Sequence, residues 1–111
     1  MNVTYEGGVA GIRAKKLTST NVTDIVAETN RCTVKKLYIC EIAGGVAAVT
    51  VEVYDGTTSY YLMKSKPMTA RQTLEFGDIP LEAGWKIRVT ASIADNIDVV
   101  AVIVEPGQGQ G

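Results

Sequence analysis

Residues 48–56 read Ala48-Val49-Thr50-Val51-Glu52-Val53-Tyr54-Asp55-Gly56, with three valines set in strict alternation against Ala48, Thr50 and Glu52. Successive side chains of a strand point to opposite faces of its sheet, so this run predicts one face toward a core and one toward water. Asp55-Gly56 then supplies the positive φ that a tight hairpin needs. Downstream the pattern recurs: Trp85, Ile87, Val89, Ala91 and Ile93 oppose Lys86, Arg88, Thr90 and Ser92. Working outward from these two strands, β-branched and aromatic runs fall at 12–17, 23–27, 32–42, 47–54, 59–64, 69–76, 86–93 and 97–105, separated by turn signals every eight to twelve residues. That spacing is the signature of a sandwich or barrel. Between Thr18 and Glu28 the capping residues Ser19, Asn21 and Asp24 invite a helix, but Val22, Thr23, Ile25 and Val26 favour an extended chain.

The fold class expected is therefore all-β, an antiparallel sandwich of about eight strands, jelly-roll-like or immunoglobulin-like. Gly44-Gly45 and Asp55-Gly56 predict an antiparallel meander of the third, fourth and fifth runs, and Asp95-Asn96 predicts a hairpin of the last two. Pro67, Pro80 and Pro106 are expected in gaps, since proline cannot donate to a ladder. Residues 12–105 form the sandwich domain, 1–11 a Gly-rich N-terminal arm, and 106–111 a flexible C-terminal tail with nothing to bury.

The 111 residues suit one hydrophobic core, with 46% hydrophobic and 21% charged residues. Eleven Lys and Arg are dispersed among twelve Asp and Glu, which argues against nucleic acid, whose phosphates call for a basic patch. Arg13, Lys15 and Lys16 are the one dense basic spot, either an electrostatic docking patch or a solvated N-terminal segment. No apolar run is long enough for a transmembrane helix, and the N-terminus lacks the charged-then-apolar layout of a signal peptide, so synthesis in the cytoplasm is expected. On that expectation the triplets Asn2-Val3-Thr4 and Asn21-Val22-Thr23 are coincidental glycosylation patterns. Cys32 and Cys40 lie roughly 26 Å apart along one strand at ~3.3 Å per residue, too far to bridge, and read as buried thiols.

Chemistry finds little to work with. The chain has no histidine, the commonest general base and metal ligand, and two thiols alone do not complete a zinc site. Glu52, Asp55, Glu75, Asp78, Glu82, Asp95 and Asp98 are the available acids, mostly at turns or on polar faces. The segment Asp95-Asn96-Ile97-Asp98 lacks the length, the central glycine and the terminal glutamate of a calcium loop. Gly44-Gly45 joins two strands and so offers no helix N-terminus to a phosphate. Trp85 shares an apolar face with Ile87 and Val89 and reads as core. No catalysis and no cofactor are expected.

Three strands break the alternation. In 37–40, 60–63 and 99–104 both faces are apolar, so these strands are either covered by other chain or turn grease outward. Candidate interface residues are accordingly Tyr38, Tyr60, Tyr61, Met63, Val100 and Val102, with Arg13 and Lys15 from the basic spot.

Residues 36–56, KLYICEIAGGVAAVTVEVYDG, and 79–105, IPLEAGWKIRVTASIADNIDVVAVIVE, resemble a recurrent type of small virion structural protein of tailed bacteriophages. The shared features are a long strand ending in a small-residue turn, an alternating strand ending in Asp55-Gly56, and the Leu81-Glu82-Ala83-Gly84 turn before a further strand. The resemblance implies a β-sandwich built into the virion after synthesis in the host cytoplasm, most specifically a capsid decoration or cement protein. It also implies partners among the other virion subunits, whether the major capsid protein or tail and connector proteins, and a homo-oligomer such as a trimer. A collar, head–tail junction or tail-tip subunit is the alternative within the virion. Outside it, Tyr60-Tyr61 on a sandwich also fits a carbohydrate- or receptor-binding module.

Overall fold

The computed structural model describes residues 4, 5 and 8–106, and none of them is helical. Residues 1–3, 6 and 7 of the expected arm, and 107–111 of the expected tail, lie outside the described residues. Nine strands follow in order: β1 (Thr4–Tyr5), β2 (Gly8–Lys16), β3 (Thr23–Ala27), β4 (Cys32–Glu41), β5 (Ala48–Tyr54), β6 (Ser59–Pro67), β7 (Thr73–Leu81), β8 (Lys86–Ala91) and β9 (Ile97–Pro106). They form two sheets, ordered β1-β2-β9-β4-β7 and β3-β8-β5-β6. All eight expected strands are present, and the two-residue β1 is added at the edge of the larger sheet.

Strand pairing decides between the two sandwich topologies. β2 pairs with β9, β3 with β8, β4 with β7 and β5 with β6, all antiparallel. These are the rungs of one long hairpin whose tip is the Asp55-Gly56 turn, wrapped so that successive rungs fall in alternate sheets. That is a jelly roll. Gly8 at the start of β2 lies in register with Pro106 at the end of β9, so the two limbs of the hairpin begin and finish side by side.

The expected meander is corrected here. β5 and β6 do form a hairpin, but β4 and β5 lie in different sheets, as do β8 and β9. Gly44, at φ 76°, and Asp95, at φ 66°, use their left-handed conformations to turn a corner between layers instead of closing a ladder. The prolines also sit otherwise than expected. Pro67 and Pro106 close β6 and β9, and Pro80 lies within β7, which a sheet-edge strand tolerates.

The core fills the space between the layers. Val34, Leu37, Ile39, Val99, Ala101 and Ile103 of the larger sheet meet Val49, Val51, Ile87, Val89 and Ala91 of the smaller, each no more than 1% exposed. Each large one contributes about 1.5–3 kcal/mol by leaving water. Trp85 packs against this core while keeping part of its ring exposed. Ile93, expected in phase with the core, lies beyond the end of β8 and is exposed, because the chain turns at Ser92 to cross between sheets.

One end of the sandwich is tied by a buried carboxylate. Glu41 is 0% exposed at the end of β4. It accepts backbone N–H bonds from Ala43 at 3.3 Å, Gly44 at 2.8 Å, Gly45 at 3.1 Å and Arg71 at 3.0 Å. The Arg71 N–H holds this carboxyl below its ordinary range, and the three N–H groups of 43–45 add to it against the opposing effect of burial. Backbone bonds extend the tie: Ile42 N–H donates to Asn96 O at 2.9 Å, and Asp95 N–H donates to Leu17 O at 2.8 Å. Four connections, after β2, β4, β6 and β8, are thereby held at the same end.

Candidate functional site

Two strands of the larger sheet are apolar on both sides. In β9 the residues Val99, Ala101 and Ile103 point into the core, so Val100, Val102 and Val104 point away from it. Across the ladders, Val100 is flanked by Ala14 and Tyr38, Val102 by Ile12 and Lys36, and Val104 by Ala10 and Thr33. Nothing among the described residues covers this face. Ile12 is 66% exposed, while Tyr38, Val100, Val102 and Val104 are half-buried by their neighbours within the sheet.

Ion pairs border the apolar stripe. Lys16 pairs with Asp98 at 2.8 Å at one end, and Lys36 with Glu75 and Lys35 with Asp78 at 3.0 Å on the β7 side. Glu75, as hydrogen-bond partner and counter-charge, raises the Lys36 ammonium above its ordinary value. Solvent screening leaves such exposed pairs with little to add to stability, but they leave the face electrically balanced. Small residues on both sides of Ile12 leave hollows: one of about 280 Å³ lined by Ala10, Lys35, Lys36, Asp78 and Val102, and one of about 250 Å³ that includes Ala14, Lys16, Asp98 and Val100.

The sequence candidates divide among three places. Tyr38, Val100 and Val102 come together on this face. Tyr60 and Tyr61 lie on β6, at the far edge of the smaller sheet, with Leu62 beside them, at 53%, 50% and 42% exposure. Lys64 sits over the Tyr61 ring at 4.7 Å, and Met63 turns inward against the core. Arg13 points to the opposite side of β2 from Ile12 and grips Glu28 with two hydrogen bonds of 2.9 Å. Lys15 is exposed near the second hollow. With Lys16 held by Asp98, two of the three charges of the basic spot are neutralised locally. The Arg13 hydrogen bond also lowers the Glu28 carboxyl, while burial, followed by Glu28, raises the neighbouring Glu105.

The outer face of the smaller sheet is closed upon itself. Glu52, expected on a wet face, is only 6% exposed. Arg88 reaches it at 3.0 Å, the Ser59 hydroxyl donates to it, and the guanidinium lies 3.8 Å over the Tyr54 ring. Long neighbouring side chains on a sheet cover one another, which simple alternation does not register. Arg88 Nε has no hydrogen-bond partner among the described residues.

Two of the sheet edges, β6 and β7, are obstructed. β6 carries two register shifts against β5, a positive φ of 50° at Ser65, and Lys64, Lys66 and Pro67. β7 carries Asp78 at φ 52° and Pro80. Bulges, lysines and prolines are the usual means by which edges are kept from pairing with other chains. With β7 obstructed, the apolar surface of the larger sheet is open as a face. Ile12 and Ala14, its most exposed contributors on β2, escape the sequence reading because the inward side of that strand carries Arg13 and Lys15 in place of core residues. Among the described residues no group of three Cys, Asp or Glu side chains is placed to hold a metal ion.

No family model matches the chain, and no curated protein matches it by sequence. Solved structures do share its fold. Two crystal structures of a pentameric capsid protein isolated from metagenomic phage sequences superpose with TM-scores of 0.52 each, at 16% and 18% identity over 94% of this chain. This chain spans 65% and 66% of their lengths, just under two-thirds. The structure of the infectious bursal disease virus Gx strain aligns with a TM-score of 0.50 and 8% identity over 90% of this chain and 34% of that one. At these identities the likeness establishes a shared jelly-roll architecture.

Proposed function

We propose that this chain is a structural subunit of a virus particle, acting through protein–protein contact without catalysis. One observation carries the reading: the jelly roll leaves uncovered the apolar outer face built on Ile12, Tyr38, Val100 and Val102. A soluble monomer has no use for such a stripe, and repeated weak contacts over a symmetric shell turn it to account. The phage capsid proteins that share the fold support the same role. Within it we assign the chain to the outside of a tailed-phage head as a decoration or cement protein, attached to major capsid subunits and forming homo-oligomers. The pentameric neighbours favour a second reading, in which copies of the chain form a ring within the shell itself.

Purified particles provide the test, by mass spectrometry and cryo-electron microscopy. The chain is expected in stoichiometric amount as ordered density on the head, and an Ile12→Asp/Val102→Asp variant is expected to be missing from particles while folding normally. Density within a five-fold ring selects the second reading. Particles free of the wild-type chain would sink both.

A further inference from the structure

Knob and hollow lie side by side on the open face. Ile12 stands out from β2, and next to it the small side chain of Ala10 leaves the 280 Å³ hollow floored by Val102 and walled by Lys36 and Asp78. That volume exceeds an isoleucine side chain. We propose that the occupant of this face is a second copy of the chain, related by a two-fold axis near Val102, with Ile12 of each copy seated in the hollow of the other. The inference deepens the proposed function and rests on it in taking this face as the contact surface.

Three properties favour self-pairing over another partner. A two-fold contact needs a surface that is its own complement, and a protrusion adjacent to its own receptor site meets that need. The bordering charges are three lysines, each with an acidic partner on the same face, so a second copy brings no net charge against the first. Packed sheets sit about 10 Å apart, and four strands spaced ~4.8 Å over nine residues at ~3.3 Å present roughly 570 Å² per copy. The pair thus buries roughly 1,100 Å², at the lower limit of specific interfaces near 1,200 Å². The dimer is therefore concentration-dependent when free and firm only where an assembly repeats it.

Sedimentation of the full chain across a concentration series reads the outcome. The wild type is expected to pass from one to two chain masses, and Ile12→Asp to raise the dissociation constant at least ten-fold with an unchanged circular-dichroism melt. Val102→Cys in a Cys40→Ser background is expected to form a disulfide-linked pair under oxidation, while Thr90→Cys, on the opposite sheet, is not. A wild type that stays monomeric at millimolar concentration, an Ile12→Asp variant that dimerises like the wild type, or equal crosslinking at Thr90 overturns the proposal. Particle incorporation separates the two ideas. A monomer that still enters particles through this face leaves the virion role standing without the second copy, and a dimer ignored by particles does the reverse.

Discussion

Replacing Arg88 by methionine tests whether the outer face of the smaller sheet is held closed by charge. The change removes the cation 3.0 Å from Glu52 and 3.8 Å above Tyr54, and leaves a carboxylate that is only 6% exposed with the Ser59 hydroxyl for company. Breaking a buried pair by deleting one partner costs about 3–5 kcal/mol. The Arg88 side chain is itself 21% exposed, which places the loss at the lower end, about 3 kcal/mol. At ~2.1 cal/mol/K per residue, 111 residues unfold with about 0.23 kcal/mol per degree, so Tm falls by about 13 °C. Removing both charges is a different matter. Because Arg88 Nε lacks a partner, the pair is imperfectly satisfied, and Glu52→Leu combined with Arg88→Met is expected within about 1 kcal/mol of the wild type. Urea and thermal unfolding of the four proteins complete a double-mutant cycle with a coupling of at least about 2 kcal/mol. A single variant within 0.5 kcal/mol of the wild type, or a double variant that loses the sum of the singles, refutes the reasoning.

Acid should act through Glu41, whose folded-state carboxyl is held below its ordinary 4.5 by backbone N–H groups. A depressed carboxyl stabilises above its unfolded value and loses that stability as pH falls through the folded one, so the melt is expected to drop below pH 4.5 and Glu41→Gln to flatten that acid limb. In the core, Leu37→Ala is expected to cost about 3–4 kcal/mol in urea titration, since the side chain is fully buried between the sheets. Thiol labelling at pH 8 should be biphasic. Half-buried Cys40 reacts first, and Cys32, 2% exposed and pushed up to about 11 by burial, reacts only on unfolding; simultaneous labelling would contradict this.

Strand existence was legible because β5 and β8 alternate cleanly and turn residues separate the rest. Pairing was not. Gly44-Gly45 and Asp95-Asn96 announce reversals of direction, but a left-handed residue serves a corner between layers as well as a hairpin, and only long-range packing chooses. The same local logic stopped the seventh strand at Phe76, since Pro80 reads as a boundary unless the strand is known to lie at an edge. Broken alternation did find half of the open face, in Tyr38, Val100 and Val102. It could not find Ile12, whose neighbours Arg13 and Lys15 occupy the inward side of β2. Glu41 carried an unused signal: it keeps phase with Leu37 and Ile39, and an acid in register with core residues just before Ala43-Gly44-Gly45 has waiting backbone donors.

The register of Gly8 with Pro106 has a bearing on genetic economy. A unit whose entry and exit points are neighbours can be spliced into a surface loop of a host chain, or strung in tandem through short spacers, with no rearrangement of its interior. Such a module travels easily between larger polypeptides, and the same jelly roll can recur as part of longer chains with little sequence in common.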